Sequence, residues 1–334
     1  MSPRLSFLIS TAIILLVASG VDARRLKVMD LEVVRDEENR ISGPIFDTSA
    51  VGSIVVQPLV AGYDRDTEIV RSLGFGTKSW TLDRSIDLAD VLTAEIQGAA
   101  TAMGFSTSTS AGKAWTISGT LADVFVESKA GFWGGMQHYG YMALDVKVVS
   151  PDGEQHARRL RIHEFIVNAN AGFSQRDEIM EAVARLIVEA APEVLAQVNR
   201  HYLHAPPSPT LPPKLALLES QGLSDSSKTA LRSIGLSGDP TASPVLLSLL
   251  RRSTDEDDRC ALIAALANLG AADAVTPLRE RFSSEDEDCR FLIVKALDYI
   301  GSPEARDAIV KEAVRDEAEP IRLRAELIRD QSPN

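Results

Sequence analysis

Three glycines at nearly constant spacing constrain the fold of the last third of this chain more than any other feature. Gly238, Gly270 and Gly301 lie 32 and 31 residues apart. Apolar residues stand seven and four positions before each glycine, as Leu231 and Ile234 do before Gly238. That spacing puts two apolar side chains on one face of a helix, and a following glycine readily adopts the left-handed conformation that ends it. The repeat therefore predicts stacked helix pairs, which together form a solenoid.

The second helix of each pair is predicted over three short segments, Pro244–Leu250, Thr276–Phe282 and Ala305–Val314. A further copy begins at Arg322–Asp330. Over about residues 225–331 the pattern resembles HEAT repeats of the short type seen in PBS-lyase-like proteins. The resemblance implies an α-solenoid that binds protein partners, since helical solenoids present extended surfaces more often than they catalyse reactions.

Runs of acidic residues recur at equivalent turns between these repeats. The candidate partner-binding residues there are Asp255, Glu256, Asp257, Asp258, Glu285, Asp286, Glu287, Asp288, Asp316, Glu317 and Glu319. One interpretation is helix capping, because carboxylates complement the positive end of a helix, with Ser253, Thr254, Ser283 and Ser284 as N-caps. The other is an acidic edge that docks a partner with a basic surface, or loosely holds a divalent cation such as calcium.

The N-terminus predicts an export signal. Residues 6–21 form an apolar stretch behind Arg4, too short for most membrane spans, which indicates a signal peptide over residues 1–23. The alternative is an uncleaved anchor, since basic residues follow the cleavage sites. Val21 stands after Gly20, where a lipoprotein would carry cysteine. We therefore expect an exported protein of the periplasm or cell envelope without a lipid anchor.

Export implies an oxidising compartment, and the chain has two cysteines, Cys260 and Cys289. The helical pattern places them on differently facing sides of successive helices. We therefore interpret them as two small, half-buried core residues, with a disulfide as the alternative.

A proline-rich run divides the chain. Residues 205–213 read APPSPTLPP, and proline fixes φ and removes a backbone donor, so the run predicts an extended spacer that is not helical. The division predicts one domain over residues 24–204 and the HEAT-repeat domain over residues 214–334.

The first domain combines strands and helices. Its predicted elements are a strand at Ser53–Val60, a helix at Ile86–Met103, strands at Trp115–Glu127 and Tyr141–Val149, a return strand, and a helix from Ser174. Gly119 inside a strand predicts a bulge or a close backbone approach. One apolar face per element predicts an α+β domain, a sheet with helices packed on one face, followed by the all-α HEAT-repeat solenoid.

Two segments of this first domain resemble the YajG-like bacterial lipoproteins. They are Trp80–Thr107, a helix and its following strand, and Ile166–Val198, with an aromatic-Ser-x-x-acid start to the last helix. The resemblance covers roughly residues 50–200 and implies a small envelope-associated domain without established catalysis. The chain departs from that group by lacking the lipidated cysteine.

No motif for catalysis, cofactor binding or a metal site is found. The chain carries 47 acidic and 35 basic residues, a net charge of -12, which argues against nucleic acid as a partner. Its five histidines are scattered, and His201 and His204 are interpreted as exposed residues at a helix end. His163-Glu164 lies on a strand and lacks a second histidine at zincin spacing. We therefore predict a protein that is not an enzyme and has no cofactor.

Phe132 and Trp133 lie between glycines in a loop that joins two strands. They either fold back over the sheet edge or form an exposed tip that contacts a partner or the membrane interface.

These features favour a non-enzymatic exported envelope adaptor that binds protein partners through the solenoid. The alternative is a structural or assembly subunit of an envelope or secretion complex that docks through the α+β domain.

Overall fold

The computed structural model describes residues 25–26, 41, 43–63, 70–73, 81–82, 86–108, 113–130, 136–167 and 175–331. The export signal predicted over residues 1–23, the Phe132–Trp133 tip and the helix start at Ser174 lie outside the described residues. Within the described ranges, no helix is both long and apolar enough to cross a membrane.

The first half of the chain is built on a mixed sheet. The strands are β1 (Arg25–Leu26), β2 (Ser53–Val56), β3 (Val60–Ala61), β4 (Val70–Leu73), β5 (Thr81–Leu82), β6 (Ser106–Thr107), β7 (Trp115–Ala130), β8 (Met136–Val149) and β9 (Gln155–Val167). The order is β6-β2-β7-β8-β9, with β3 and β4 also paired to β7, while β1 and β5 form a separate parallel pair. Strand β8 pairs antiparallel with β7 on one side and with β9 on the other. The sheet therefore presents two broad faces over β7–β9.

The helices follow in two groups. The first group is α1 (Leu88–Ala102) and α2 (Gln175–Val198). The second is α3 (Leu211–Gln221), α4 (Asp225–Ser237), α5 (Ser243–Arg252), α6 (Glu256–Leu269), α7 (Val275–Arg281), α8 (Glu287–Ile300), α9 (Pro303–Lys311) and α10 (Glu319–Gln331). Helices α4, α6, α8 and α10 are the first helices of successive repeats, and α5, α7 and α9 are the second helices. The α+β region followed by a helical solenoid confirms the predicted fold class.

The glycines at the ends of the first helices behave as predicted. Gly238, Gly270 and Gly301 have φ values of 66°, 64° and 63°, the left-handed conformation that closes α4, α6 and α8. A residue with a Cβ pays a steric penalty in this region, so glycine suits the position. The spacing of these three caps sets the length of each repeat.

Alternation along β8 separates the two faces of the sheet. Met142 and Leu144 are buried on the face covered by α2, and Gly140 lies on the same face against Leu186 of α2. The odd-numbered Tyr139 points the other way and packs against Phe291 of α8, with ring centroids 5.0 Å apart. The second face of the sheet is thus covered by the solenoid, and buried apolar residues of both halves form one continuous cluster.

Gly119 of β7 allows the close backbone approach that the sequence predicts. A Cβ at this position would collide with the carbonyl oxygen of Asp145 on β8. The irregularity in the β7–β8 register lies two residues further on, between Leu121 and Asp123.

The prediction of an extended spacer over residues 205–213 is wrong. Pro207 forms an antiparallel bridge with Phe46, so the start of this segment lies against the first half of the chain. Pro212 and Pro213 lie in the first turn of α3. The first N–H groups of a helix have no intrahelical acceptor, so proline is tolerated there, and a proline-rich run can begin a helix.

The two cysteines form a disulfide, which corrects the prediction of two unpaired core residues. Cys260 of α6 and Cys289 of α8 have Cα atoms 4.8 Å apart. In a stack of parallel first helices, the leading face of one helix meets the trailing face of the next. Cysteines on differently facing sides of successive helices are therefore the ones that meet, and the bond joins two neighbouring repeats.

Candidate functional site

Charged side chains of the sheet, α2 and the solenoid meet where the solenoid covers the sheet. We call this interface the seam. Its polar members are Glu127, Arg161, His163, Glu164, Glu193, Lys295, Asp298, Tyr299 and Arg324. The seam contains two networks, one centred on Asp298 and Arg324 and the other on Lys295.

Asp298 of α8 binds two residues of β9. Arg161 makes a bidentate pair with its carboxylate, at 2.6 and 2.9 Å, and Nε2 of His163 lies 2.8 Å from Oδ2. Burial acts to raise the pKa of Asp298, but the hydrogen bond from His163 and the nearby guanidinium hold that pKa below its ordinary value. Asp298 is therefore an ionised carboxylate although its side chain is only 4% exposed.

His163 is the neutral partner in this network. Burial lowers its pKa to about 4, and this outweighs the hydrogen bond to Asp298, which acts to raise the pKa. Nδ1 lies 3.1 Å from Nη1 of Arg324, which can only donate. Nδ1 is consequently the acceptor, and the ring proton lies on Nε2, where it is donated to Asp298.

Arg324 fixes α10 to the sheet. The residue is 1% exposed, and its guanidinium donates to the carbonyl of Gly140 at 3.0 Å and to Glu127 at 3.3 Å. It also lies 4.9 Å from the ring centroid of Tyr141, within cation–π range. An arginine buried in this way requires both the carboxylate and the rings of the first half of the chain.

Lys295 of α8 is shared by two buried carboxylates. Its Nζ lies 2.6 Å from Glu193 of α2 and 3.2 Å from Glu164 of β9. Tyr299 donates a hydrogen bond to the other oxygen of Glu193 at 2.6 Å. Lys295 and Tyr299 hold the pKa of Glu193 below its ordinary value although burial opposes them, whereas burial and the charge of Glu193 raise the pKa of Glu164 well above it.

A cleft of about 290 Å³ opens beside Lys295. One wall is formed by β9 and α2, and the other by the first helices α4, α6 and α8. The lining residues are Glu164, Phe165, Glu189, Glu193, Lys228, Leu231, Arg232, Cys260, Ala261, Ala264, Ala265, Asn268, Leu292 and Lys295. The cleft combines apolar walls with a few charged groups, the usual character of a small-ligand site.

The predicted capping role at the repeat turns is carried by aspartates. Asp255 accepts a hydrogen bond from the backbone N–H of Asp258 at 3.0 Å, and Asp286 accepts one from Cys289 at 2.9 Å. Ser253, Thr254, Ser283 and Ser284 do not occupy the N-cap positions of α6 and α8, so the prediction of serine and threonine caps was wrong. A carboxylate is favoured at these positions because it also complements the helix dipole.

Other acidic residues of the turns are bound within the chain. Glu285 is buried and pairs with Arg259 at 2.8 Å and Arg281 at 2.6 Å. Asp316 makes the equivalent bond to Arg290, at 2.9 Å. These arginines join each turn to its neighbouring repeat.

The first turn of α8 contacts the sheet directly. Lys129 of β7 and the hydroxyl of Tyr139 bind Glu287 at 2.7 and 2.8 Å, and Gln137 of β8 donates to Asp288 at 3.2 Å. Burial and neighbouring carboxylates raise the pKa of Asp288 to about 7. The continuous acidic edge predicted from the sequence is therefore interrupted at α8, where the carboxylates have partners within the chain.

Acidic side chains remain exposed on either side of this interruption. Asp255, Glu256 and Asp257 are exposed at the start of α6, and Glu317 and Glu319 are exposed before and at the start of α10. Partner binding by these residues stays a prediction. Lys129 and Gln137 lie near the ends of β7 and β8, so these strand ends reach the start of α8.

The remaining candidate ligands offer little for a metal. Among the described residues, ligand atoms of Cys260, Asp286 and Cys289 lie within 4.8 Å of one another, but the disulfide engages both sulfurs. Burial lowers the pKa of the half-buried His201 to about 4. His204 is exposed and has a left-handed backbone conformation, with φ of 53°. The two histidines therefore have different surroundings and do not form a matched pair of metal ligands.

The solenoid matches a known family, but the match covers only part of the chain. The model for HEAT repeats matches residues 211–290 and 243–328, and HEAT repeats generally mediate protein–protein interaction. A comparison with curated protein sequences finds no significant match.

Two solved structures show only distant similarity. Protein XCC0632 from Xanthomonas campestris, described as DUF330, is 10% identical with a TM-score of 0.31, and the match covers 47% of this chain and 91% of that one. A second structure, of an uncharacterized protein, is 11% identical with a TM-score of 0.28, and the match covers 44% and 92%. The YajG-like resemblance of the first half stays a prediction.

Proposed function

We propose that this chain is a non-enzymatic, exported envelope adaptor that binds a protein partner through its HEAT-repeat solenoid. The match to HEAT repeats supports the protein-binding role, because repeats of this kind form extended interaction surfaces. Export rests on the apolar segment at residues 6–21. Peripheral association with a membrane through Phe132 and Trp133 is part of the same proposal.

The observation that carries the proposal is the exposed acidic turn at the start of α6. Asp255, Glu256 and Asp257 are all exposed, and together they place three carboxylates on one turn. The face that α8 and α10 turn toward the sheet is already covered, so that face is closed to a partner whereas the α6 turn is open. Electrostatic complementarity to this turn requires a partner with a basic surface.

The proposal is tested with the full-length chain, since the two halves share a core. Membrane fractions are passed over the immobilised wild type and over a triple variant, Asp255→Asn, Glu256→Gln and Asp257→Asn. A matched control neutralises three exposed acids on the second helices, with Glu280→Gln, Glu304→Gln and Asp307→Asn. We expect a specific partner to be lost from the first variant alone and to elute as salt is raised.

The same experiment discriminates the alternative function. A partner retained by both triple variants would contradict docking at the α6 turn. If chemical cross-links from that partner then fall on β6–β9, a structural or assembly subunit docking through the α+β domain becomes the better proposal.

A further inference from the structure

Two cysteines and a carboxylate of neighbouring repeats meet between α6 and α8. The sulfurs of Cys260 and Cys289 and a carboxyl oxygen of Asp286 all lie within 4.8 Å of one another. Asp286 is held in this place because its Oδ1 caps α8 by accepting the backbone N–H of Cys289 at 2.9 Å. Zinc ligands lie about 2.0–2.3 Å from their ion, so atoms this close together need only small side-chain rotations to share one.

A second carboxyl group faces Asp286 from the start of α6. The side chains of Glu256 and Asp286 lie within hydrogen-bonding distance of each other, and the backbone carbonyl of Glu256 lies 3.8 Å from Sγ of Cys289. Among the residues that the structure describes, the buried Oδ2 of Asp286 has no hydrogen-bond partner, since two carboxylates offer only acceptors. Two carboxyl groups in contact need either a shared proton or a shared cation.

The cations of the neighbouring turns are bound to other carboxylates. Arg259, Arg290 and Lys129 bind Glu285, Asp316 and Glu287, at 2.8, 2.9 and 2.7 Å respectively. Arg259 still acts on Glu256 from its place beside Glu285, but Asp257 and Asp288 add negative charge on either side of the Glu256–Asp286 contact. The group therefore has an excess of negative charge, which favours a cation.

The two sulfurs distinguish this group from an ordinary acidic turn and select the metal. Calcium and magnesium take oxygen ligands, whereas thiolates bind softer ions such as zinc. Zinc is commonly bound by four ligands in a tetrahedral arrangement, and cysteine sulfur and carboxylate oxygen are both among its usual ligands. We propose that, once the disulfide is reduced, the group formed by Cys260, Cys289, Asp286 and Glu256 binds one Zn²⁺ ion.

Reduction and metal binding follow one another with a defined balance. A dithiol reductant supplies two electrons and two protons, the bond between the sulfurs of Cys260 and Cys289 breaks, and the reductant becomes a disulfide. Zn²⁺ then displaces the two thiol protons and bonds to both sulfurs. The disulfide and the zinc ion exclude each other, so the oxidation state of the cysteines decides which cross-link joins α6 to α8.

The test compares the reduced and the oxidised forms of the full-length protein. The chain is reduced with a dithiol, freed of the reductant under nitrogen, and titrated with Zn²⁺ in competition with a chromophoric chelator. We expect one Zn²⁺ per chain with a Kd below about 1 μM, and release of about two protons per ion at pH 7 because free thiols are protonated there. Co²⁺ in place of Zn²⁺ should show the absorption of cobalt–thiolate bonds. The oxidised protein should bind about 100-fold more weakly or less, because it offers carboxylates alone.

Asp286→Asn and Glu256→Gln test the two carboxylate ligands. Asparagine keeps a side-chain oxygen that can cap α8, so the first variant removes the charge and retains the cap. Each variant should weaken zinc binding by the reduced protein about tenfold or more. The matched control is Asp255→Asn, because Asp255 caps α6 in the same way and is not a member of the ligand group. Its affinity should stay within about threefold of the wild type, since asparagine and aspartate are similar caps.

Three outcomes would overturn the proposal. Equal binding by the reduced and oxidised forms would mean that surface acids alone hold the ion. Wild-type affinity in reduced Asp286→Asn would mean that the cysteines bind zinc without the carboxylate, as an unfolded chain would. Thermal melts give the third: Zn²⁺ should raise the melting temperature of the reduced wild type toward that of the oxidised protein, and no rise would contradict the site. None of these measurements involves a partner protein, so their result is separate from that of the docking experiment at the α6 turn.

Discussion

Asp298 accepts a hydrogen bond from His163 at 2.8 Å, across an interface formed by residues 135 positions apart in the chain. The aspartate belongs to the solenoid and the histidine to the sheet. Their bond, together with the pair to Arg161, makes the orientation of α8 on β9 specific. The charged residues of the seam are thus surrounded by buried apolar side chains of both halves of the chain. Substitutions in the seam test how much these charged contacts contribute to the free energy of unfolding.

Asp298→Asn should strongly destabilise the protein. The substitution leaves the Arg161 guanidinium, whose side chain is 19% exposed, beside a neutral group, and breaking a largely buried pair in this way costs about 3 kcal/mol. Urea unfolding of the full-length chain measures the change. The control is Asp145→Asn, because Asp145 makes a similar bidentate pair with Arg159 in which both side chains are about half exposed, at 48% and 45%. That exposed pair should contribute less than about 1 kcal/mol, so equal losses in the two variants would contradict a special role for the seam.

Arg324→Met should destabilise the chain by about 3 kcal/mol, because Glu127 is then left buried without its cation. Adding Glu127→Gln to Arg324→Met should restore part of that loss, since the remaining polar group is neutral. A double-mutant cycle measured by urea unfolding gives the coupling between the two residues. Additive effects in that cycle would show that the 3.3 Å contact contributes little.

Acid should weaken the fold through the buried histidines. Burial lowers the pKa of His138 to about 4, and the ordinary value is 6.5. The neutral form is favoured in the folded state, so stability is fully present above pH 6.5 and is lost as pH falls from 6.5 toward 4. The loss attributable to one such histidine is up to about 3 kcal/mol. His138→Asn should flatten the slope of stability against pH in this window, and an unchanged slope would contradict the prediction.

Reduction of the Cys260–Cys289 disulfide should lower the free energy of unfolding by about 3 kcal/mol. The bond closes a loop of 29 residues, and cross-links of this size restrict the unfolded chain by roughly that amount. Thermal melts with and without a dithiol reductant measure the difference. The double variant Cys260→Ser, Cys289→Ser should match the reduced protein and should not respond to the reductant. A response of that variant would assign the effect to another cause.

The repeat and the sheet could be predicted from the sequence because their signals are local. Glycine caps at constant spacing and alternation along β8 each reflect contacts within a few residues. The partners of Lys295 could not be predicted in this way, since Glu164 and Glu193 lie 131 and 102 positions earlier. A signal did exist: Lys295 interrupts an apolar run in α8, and a lysine there must either reach solvent or meet a buried carboxylate.

The acidic turns show why the same composition supports different roles. Asp257 and Glu285 belong to the same sequence pattern, yet one is exposed and the other is buried between two arginines. Repeat spacing aligns the backbone of the turns, but the neighbouring repeat and the sheet decide which carboxylates meet a cation. The sequence pattern alone contains no information about that difference.

The attachment of two successive first helices to one sheet restricts how the number of repeats can change. Lys295 on α8 and Arg324 on α10 bind fixed positions on the sheet and on α2. Duplicating or deleting one helix pair between them would carry one of these cations away from its carboxylate. Most solenoids can gain or lose copies because each repeat touches only its neighbours. Here the sheet fixes the positions of α8 and α10 relative to each other, so a helix pair cannot be gained or lost between them without breaking one of these attachments.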